Sequence, residues 1–256
     1  MSVIPDTPQV PAADQTLRVL SLLARQRGPV AARMISDALD IPRSSVYHLL
    51  AAMQHHGFVV HLPDERRWGL GTAAFELAGG FARQQPLARL GRPLVAELAD
   101  RVGESAHLAV MTGRDVLYVV EERARRRPTL VTDVGVRLPA HLTASGRAML
   151  ALLPRAQVRA LYPDQTVFAD RTGRGPDTPS HLRHALERVR ADGWAGEDGE
   201  VTVGFRSAAV AVRDHAGWPA AAIAMTWPAE ADRDSAVMAA AVAEAASVLS
   251  RRLYGH

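Results

Sequence analysis

The sharpest constraint in this chain is a break: Asp40-Ile41-Pro42 ends one helical pattern just before another starts. Upstream, Ala31, Met34, Ile35 and Ala38 fall at i, i+3, i+4 and i+7. Downstream, Val46, Leu49, Leu50 and Met53 repeat that spacing before Gly57, which predicts a helix from about Arg43 to His55. Two short amphipathic helices joined by so tight a turn form a helix-turn-helix. An earlier helix is expected from Asp14, as cap, to Gly28-Pro29, with Leu17, Leu20, Leu23 and Ala24 as its apolar face. Residues 1–12 hold Pro5, Pro8 and Pro11 without periodicity and read as a disordered arm.

After the third helix, Phe58 to Leu62 is strand-like, Pro63 to Arg67 is a charged turn, and Trp68 to Gly71 returns as a partner strand. Helix, turn, helix and hairpin over 13–71 make a winged helix-turn-helix. Opposite the apolar stripe, the third helix presents Ser44, Tyr47, His48 and Ala51, with Arg43 and Ser45 at its leading end. Small polar donors there can enter the major groove of double-stranded DNA. A merely solvated face would carry the same pattern, but Arg66-Arg67 stands where a wing tracks the phosphate backbone. Residues 1–85 carry eight arginines against seven acids, so the phosphate affinity of one monomer is modest and a dimer would double it.

Composition removes many other functions. The 256 residues include no cysteine, which excludes disulfides, thiolate nucleophiles and Cys-type metal sites. All thirty basic residues are arginine, so lysine Schiff-base chemistry and a Walker-type phosphate loop are excluded too. A formal charge of +3 argues little by itself, because polyanion binding needs a patch. No apolar run approaches the roughly 18 to 20 residues of a membrane span, and the start lacks the cation-then-hydrophobe order of a signal peptide. A cytoplasmic, nucleoid-associated protein is expected.

Thr72 to Gln85 reads as a helix with Phe75, Leu77, Ala78 and Phe81 apolar, either a linking dimerisation element or an ordinary packed helix. From 86 to 256 the pattern alternates. Leu90, Leu94 and Leu98 mark a helix kinked or restarted at Pro93, and Ser105–Met111 with Val116–Val120 form a hairpin. Val131–Val136 reads as a further strand, Ser145–Leu153 as a helix stopped by Pro154, and Pro179–Asp192 as a helix capped by Thr178 and stopped by Gly193. Gly204–Val212 and Trp218–Thr226 are strand-like, and an alanine-rich helix runs from about Ala231 to Leu253. The expected class is α+β, with an antiparallel sheet flanked by helices.

Several segments resemble the IclR-type bacterial transcriptional regulators. They are Leu17-Arg18-Val19-Leu20-Ser21-Leu22-Leu23, Ile41 through Leu50, the wing, Pro139 through Leu150, and Gly193-Trp194-Ala195-Gly196-Glu197-Asp198-Gly199-Glu200 with Gly204 through Ala209. The resemblance implies a GAF-like effector domain that binds a small metabolite, usually an organic acid or an aromatic. It further implies a homodimer or dimer of dimers on palindromic operators, with repression the common sign. Carried over by position, the effector site would include Leu130, Ala144, Ser145, Gly146, Glu197 and Ser207, with no cofactor and no metal. Glu197 replaces the usual aspartate, Ser207 a frequent cysteine and Arg147 a common lysine, so the ligand itself does not carry over.

Physically, Thr143-Ala144-Ser145-Gly146 opens a helix, where unpaired N–H groups and small side chains admit an anion. A capped, packed helix start that binds nothing has the same sequence. The competing function is a hydrolase-like domain tethered to a helix-turn-helix, with Ser145, His141 and Asp133 as a triad, although no Gly-x-Ser-x-Gly elbow holds the serine. His55, His56 and His61 lack carboxylates at ligand spacing, and Arg125-Arg126-Arg127 reads as a solvated loop or an anion contact. The expected protein is therefore a ligand-responsive regulator and not an enzyme.

Overall fold

The computed structural model describes residues 10–26, 28–77, 86–124 and 132–254. Its contacts divide the chain into units Met1–Gln84 and Gln85–His256. In the first, α1 (Pro11–Ala24), α2 (Ala32–Leu39) and α3 (Arg43–His55) pack beside a hairpin of β1 (Val59–Leu62) and β2 (Arg67–Leu70), and a further helix, α4, is described over 72–77. α1 begins at Pro11, earlier than expected. A proline at the first helical position needs no amide partner and has its φ already set, so Asp14 falls in the first turn and does not cap.

The core of this unit is Val19, Leu23, Ala32, Ile35, Ile41, Val46, Leu50, Met53, Val59 and Trp68. α1 and α2 are rotated from the expected faces: Leu17 and Ala24 are exposed while Val19 is buried, and Ala32 and Ser36 are buried where Ala31 and Ala38 are not. Between α2 and α3, Asp40 adopts φ 53°, a left-handed stop that aspartate tolerates. There the Asp40 and Ile41 amides both donate to the Ser36 carbonyl, and Ser36 Oγ donates to the Ile41 carbonyl at 2.6 Å. The wing is held to the helices by a two-bond bridge between Val30 and Trp68 at 2.9 and 2.8 Å, and the Trp68 ring stacks on His61 at 4.4 Å.

The second unit is a 6-stranded antiparallel sheet in the order β5-β4-β3-β8-β7-β6. The strands are β3 (Ser105–Thr112), β4 (Asp115–Glu122), β5 (Arg137–Pro139), β6 (Ala195–Asp198), β7 (Phe205–Arg213) and β8 (Pro219–Pro228). Helices α5 (Pro86–Val102) and α9 (Ser235–Tyr254) cover one face, where Leu94, Val95 and Leu98 meet Leu108, Ile223 and Val242. Helices α6 (Ala144–Leu152) and α8 (Pro179–Asp192) bury the other face over Tyr118, Ala209, Ala222 and Ala224. α5 runs through Pro93 without stopping. Gly91 permits its close approach to the sheet, since a Cβ there would stand 2.6 Å from Leu108 Cδ2.

Thr178 caps α8 by accepting from the His181 amide, and Gly193 closes it at φ 79°, both as expected. The strand expected at Val131–Val136 is not found over 132–136. Asp133 Oδ1 accepts from the Val134 amide and Gly135 has φ 86°, and after this turn Gly135 and Val136 exchange backbone bonds with Tyr118 before the regular ladder begins at Arg137. The last helix starts at Ser235, later than expected, where Asp234 accepts from the Ala236 amide at 2.7 Å. Three elements had no forecast: β6, α7 (Arg155–Leu161), which Pro154 starts just after it stops α6, and a 3-10 turn over Gln165–Val167.

α6 is buried along its length from Ala144 to Ala151. Gly146 makes this possible, because a Cβ there would lie 2.2 Å from the Ala140 carbonyl oxygen, backbone that cannot swing aside. Gly146→Ala is therefore expected to destabilise the second unit by about 2–3 kcal/mol in urea unfolding. Gly28→Ala, where a Cβ meets nothing within 4 Å, should change stability by less than about 0.5 kcal/mol.

Candidate functional site

α3 lies with Val46, Leu50 and Met53 inward, so the residues between them face out. Arg43, Ser44, Tyr47 and His48 are exposed and form one surface, while Ser45 is half-buried at its edge. At the wing tip Arg66 is exposed with φ 52°, and Arg67 makes only a loose pair with Glu65 at 4.0 Å. These are the residue types and the convex shape that a major groove and its flanking phosphates accept. His55 and His56 meet edge to face, and no group of three metal-ligating side chains occurs among the described residues.

In the second unit a cavity of about 30 Å³ opens where the start of α6 faces the sheet. Side chains alternate across a sheet, so residues two apart on each strand share a face. That rule brings His107 of β3, Tyr118 of β4, Glu197 of β6, Ser207 of β7 and Ala224 and Thr226 of β8 to the cavity wall. Thr132, Thr143, Ala144, Ser145, Val201, Thr202 and Phe205 complete the lining. Of the expected effector residues, Ala144, Ser145, Glu197 and Ser207 thus stand together. Gly146 lies behind them, with its amide donating to Thr143 Oγ1 at 3.0 Å, so its N–H is not open to a ligand. Leu130 and Arg125-Arg126-Arg127 lie outside the described residues.

The wall carries a continuous hydrogen-bonded row. Glu197 Oε1 accepts from the Val201 amide at 3.0 Å, and Oε2 accepts from Ser207 Oγ at 2.8 Å. Ser207 Oγ meets Thr226 Oγ1 at 2.9 Å, and Thr226 Oγ1 meets His107 Nε2 at 3.2 Å. Burial pushes the Glu197 carboxyl up from its ordinary range, against the two bonds that favour its anion. Burial, with a smaller push from Arg123, holds His107 down to about 3, so the ring is neutral. The Tyr118 phenol is pushed up by burial and by the Glu197 charge, and stays protonated.

The other side of the cavity is the first turn of α6, where helix geometry leaves the Ala144 and Ser145 amides without intrahelical partners. Arg147, 4% exposed, fixes this turn. Its guanidinium donates to Glu200 Oε1 at 2.9 Å and to the carbonyl of Gly196, tying α6 to β6. Two buried polar atoms of the lining, His107 Nδ1 and Thr132 Oγ1, have no hydrogen-bond partner among the described residues, while the Ser145 hydroxyl lies toward that of Tyr118. Native interiors rarely leave such atoms unpaired.

The triad that would make this cavity hydrolytic is not assembled. His141 Nε2 is bonded to the Ala169 carbonyl at 3.0 Å and its ring packs on Phe168, while Asp133 pairs with Arg123 at 3.4 Å. Sequence reading missed His107, Tyr118 and Thr226, which lie on three strands far apart in the chain. Their signal was the occurrence of polar residues at alternate positions within otherwise apolar strands.

Residues 80–251 match the family model of the bacterial transcriptional regulator IclR C-terminal domain, and residues 12–63 match the IclR helix-turn-helix domain. The transcriptional repressor IclR of Escherichia coli K12 is 28% identical over 230 residues, 89% of this chain and 84% of that protein. An IclR regulator structure from Alicyclobacillus acidocaldarius superposes with a TM-score of 0.84 at 21% identity, covering 95% of this chain and 98% of the other. An IclR homologue from Microbacterium hydrocarbonoxydans, solved with 4-hydroxybenzoate, gives 0.78 at 22% identity over 94% and 98% of the two chains.

His107 has a consequence for stability. Neutral when folded, it takes up a proton in the unfolded chain below 6.5, so stability is complete above that pH and falls as the pH drops toward 3. The loss approaches about 1.4 kcal/mol per pH unit for this one group. His107→Gln, which keeps a donor toward Thr226, should flatten the unfolding free energy between pH 6.5 and 5, measured by urea titration at each pH.

Proposed function

The chain belongs to the IclR family of bacterial transcriptional regulators, and on that premise we propose how its residues perform ligand-responsive control of transcription. Residues 13–71 read the operator: Arg43, Ser44, Ser45, Tyr47 and His48 meet base edges and phosphates, and Arg66 and Arg67 track the backbone. Residues 86–256 hold a small organic acid in the cavity at the start of α6. Its carboxylate faces the open Ala144 and Ser145 amides, with Glu197 and Ser207 opposite.

The observation that carries the effector reading is the set of buried polar atoms left unpaired around one cavity at a helix N-terminus. The homologue bound to 4-hydroxybenzoate supports the same class of ligand. No enzymatic activity is assigned, because the histidine and aspartate that could join Ser145 in a triad have other partners. A cytoplasmic location follows from this role, and no described helix is long and apolar enough to cross a membrane.

Palindromic operators require paired heads, and we propose a homodimer, or a dimer of dimers, joined through residues 72–85. Phe75 and Leu77, on the described part of that segment, are 82% and 65% exposed, an apolar surface that a second copy would cover. The effector acts by population shift: it favours one placement of the paired heads by its difference in affinity for the two placements. Repression relieved by the effector is the proposed sign.

Two measurements test this reading. Arg66→Gly removes the wing charge and relieves its left-handed backbone. It should lower affinity for all DNA sequences, flatten the salt dependence by about one log unit, and leave folding unharmed. A gel-shift salt titration with an unchanged slope removes the wing from the interface. Ala144→Leu should fill the cavity, abolish the response to small acids and spare DNA binding in the same assay; an intact response moves the effector elsewhere.

A further inference from the structure

We infer that the cavity selects a small acid carrying a hydrogen-bond donor, a hydroxyl or N–H, on the atom that meets His107, in preference to the matching oxo acid. This rests on the proposed reading of the cavity as the effector site and adds the chemistry of its second end.

Proton counting along the wall leads there. With Glu197 ionised, the one hydroxyl proton of Ser207 is donated to its Oε2 at 2.8 Å. The 2.9 Å contact between Ser207 and Thr226 must then use the proton of Thr226. Thr226, its proton spent, can only accept in its 3.2 Å contact with His107 Nε2. The network thus places the single proton of the neutral ring on Nε2 and makes Nδ1 a lone-pair acceptor. His107 is 1% exposed, and Nδ1 has no partner among the described residues. A buried acceptor of this kind is satisfied only by a donor, and an oxo group offers another lone pair.

The opposite wall has the reverse character. The first turn of the nine-residue helix α6 lines the cavity with its open Ala144 and Ser145 amides, beside the Ser145 hydroxyl, itself 1% exposed. A carboxylate suits that end. Glu197 offers no replacement for the donor, because both its oxygens already accept bonds within the wall. The cavity is small, about 30 Å³, and so ranks hydroxy acids of two or three carbons ahead of an aromatic acid.

The test uses the full chain and size-matched probes: lactate, pyruvate and propionate, with 4-hydroxybenzoate as the large comparator, each by calorimetry and thermal shift. Lactate should bind about tenfold or more tightly than pyruvate or propionate. His107→Phe should bring lactate down to the pyruvate level, and His107→Leu, which likewise has no acceptor, should do the same if the phenylalanine variant fails to fold. Equal or tighter binding of pyruvate overturns the donor rule while leaving the effector site standing. Binding of none of the acids overturns both. Tighter binding of 4-hydroxybenzoate than of lactate overturns the size ranking. Long-range proton–nitrogen correlations of the unsubstituted protein should show the Nε2–H form of His107, and the Nδ1–H form would refute the proposal without any variant.

Discussion

The buried Arg147 guanidinium is the contact on which the second unit's binding geometry depends. It joins the centre of α6 to the carbonyl of Gly196 and to Glu200, at the edge strand of the sheet. β6 has only one strand neighbour, so ladder bonds alone leave its position soft. With the arginine in place, the first turn of α6 and Glu197 face each other at a set separation. Breaking such a buried pair by removing one partner costs about 3–5 kcal/mol, because the remaining charge stays desolvated. An arginine serves where a lysine would not, since its planar fork reaches a carboxylate and a backbone oxygen together.

That arrangement gives the cavity two electrostatic characters a short distance apart. The helix start is receptive to negative charge, while Glu197 and the ring of His107 present lone pairs. A simple monoanion lying across both would gain at one end and lose at the other. Burial raises the carboxyl of Glu197 and so softens the conflict, and its two internal hydrogen bonds limit how far.

The sequence was legible wherever the signal was local. The Asp40-Ile41-Pro42 break, the α3 stripe and the Thr178 and Gly193 caps each depend on neighbours within a turn, and each appears in the fold. The inward faces of α1 and α2 were misjudged by about one residue, because small alanines fit either of two adjacent rows and only tertiary contact chooses. β6 was illegible as a strand: Ala195-Gly196-Glu197-Asp198 has no apolar alternation, and it is held by pairing to β7 and by Arg147. α7 buries none of its residues and so left no periodic trace. In the site, Ala144, Ser145, Glu197 and Ser207 were reached through recognisable segments. His107, Tyr118 and Thr226 become neighbours only when three separate strands are laid side by side.

The bridge between Val30 and Trp68 bears on how such a protein can evolve new targets. It clamps the hairpin to the loop ahead of α2 with two short backbone bonds, which are indifferent to side-chain identity at Val30. The hairpin and its arginines therefore keep a constant offset from that loop however their outward residues change. If that surface reads the operator as proposed, substitutions on it can alter which bases are preferred without any repair of the scaffold beneath them.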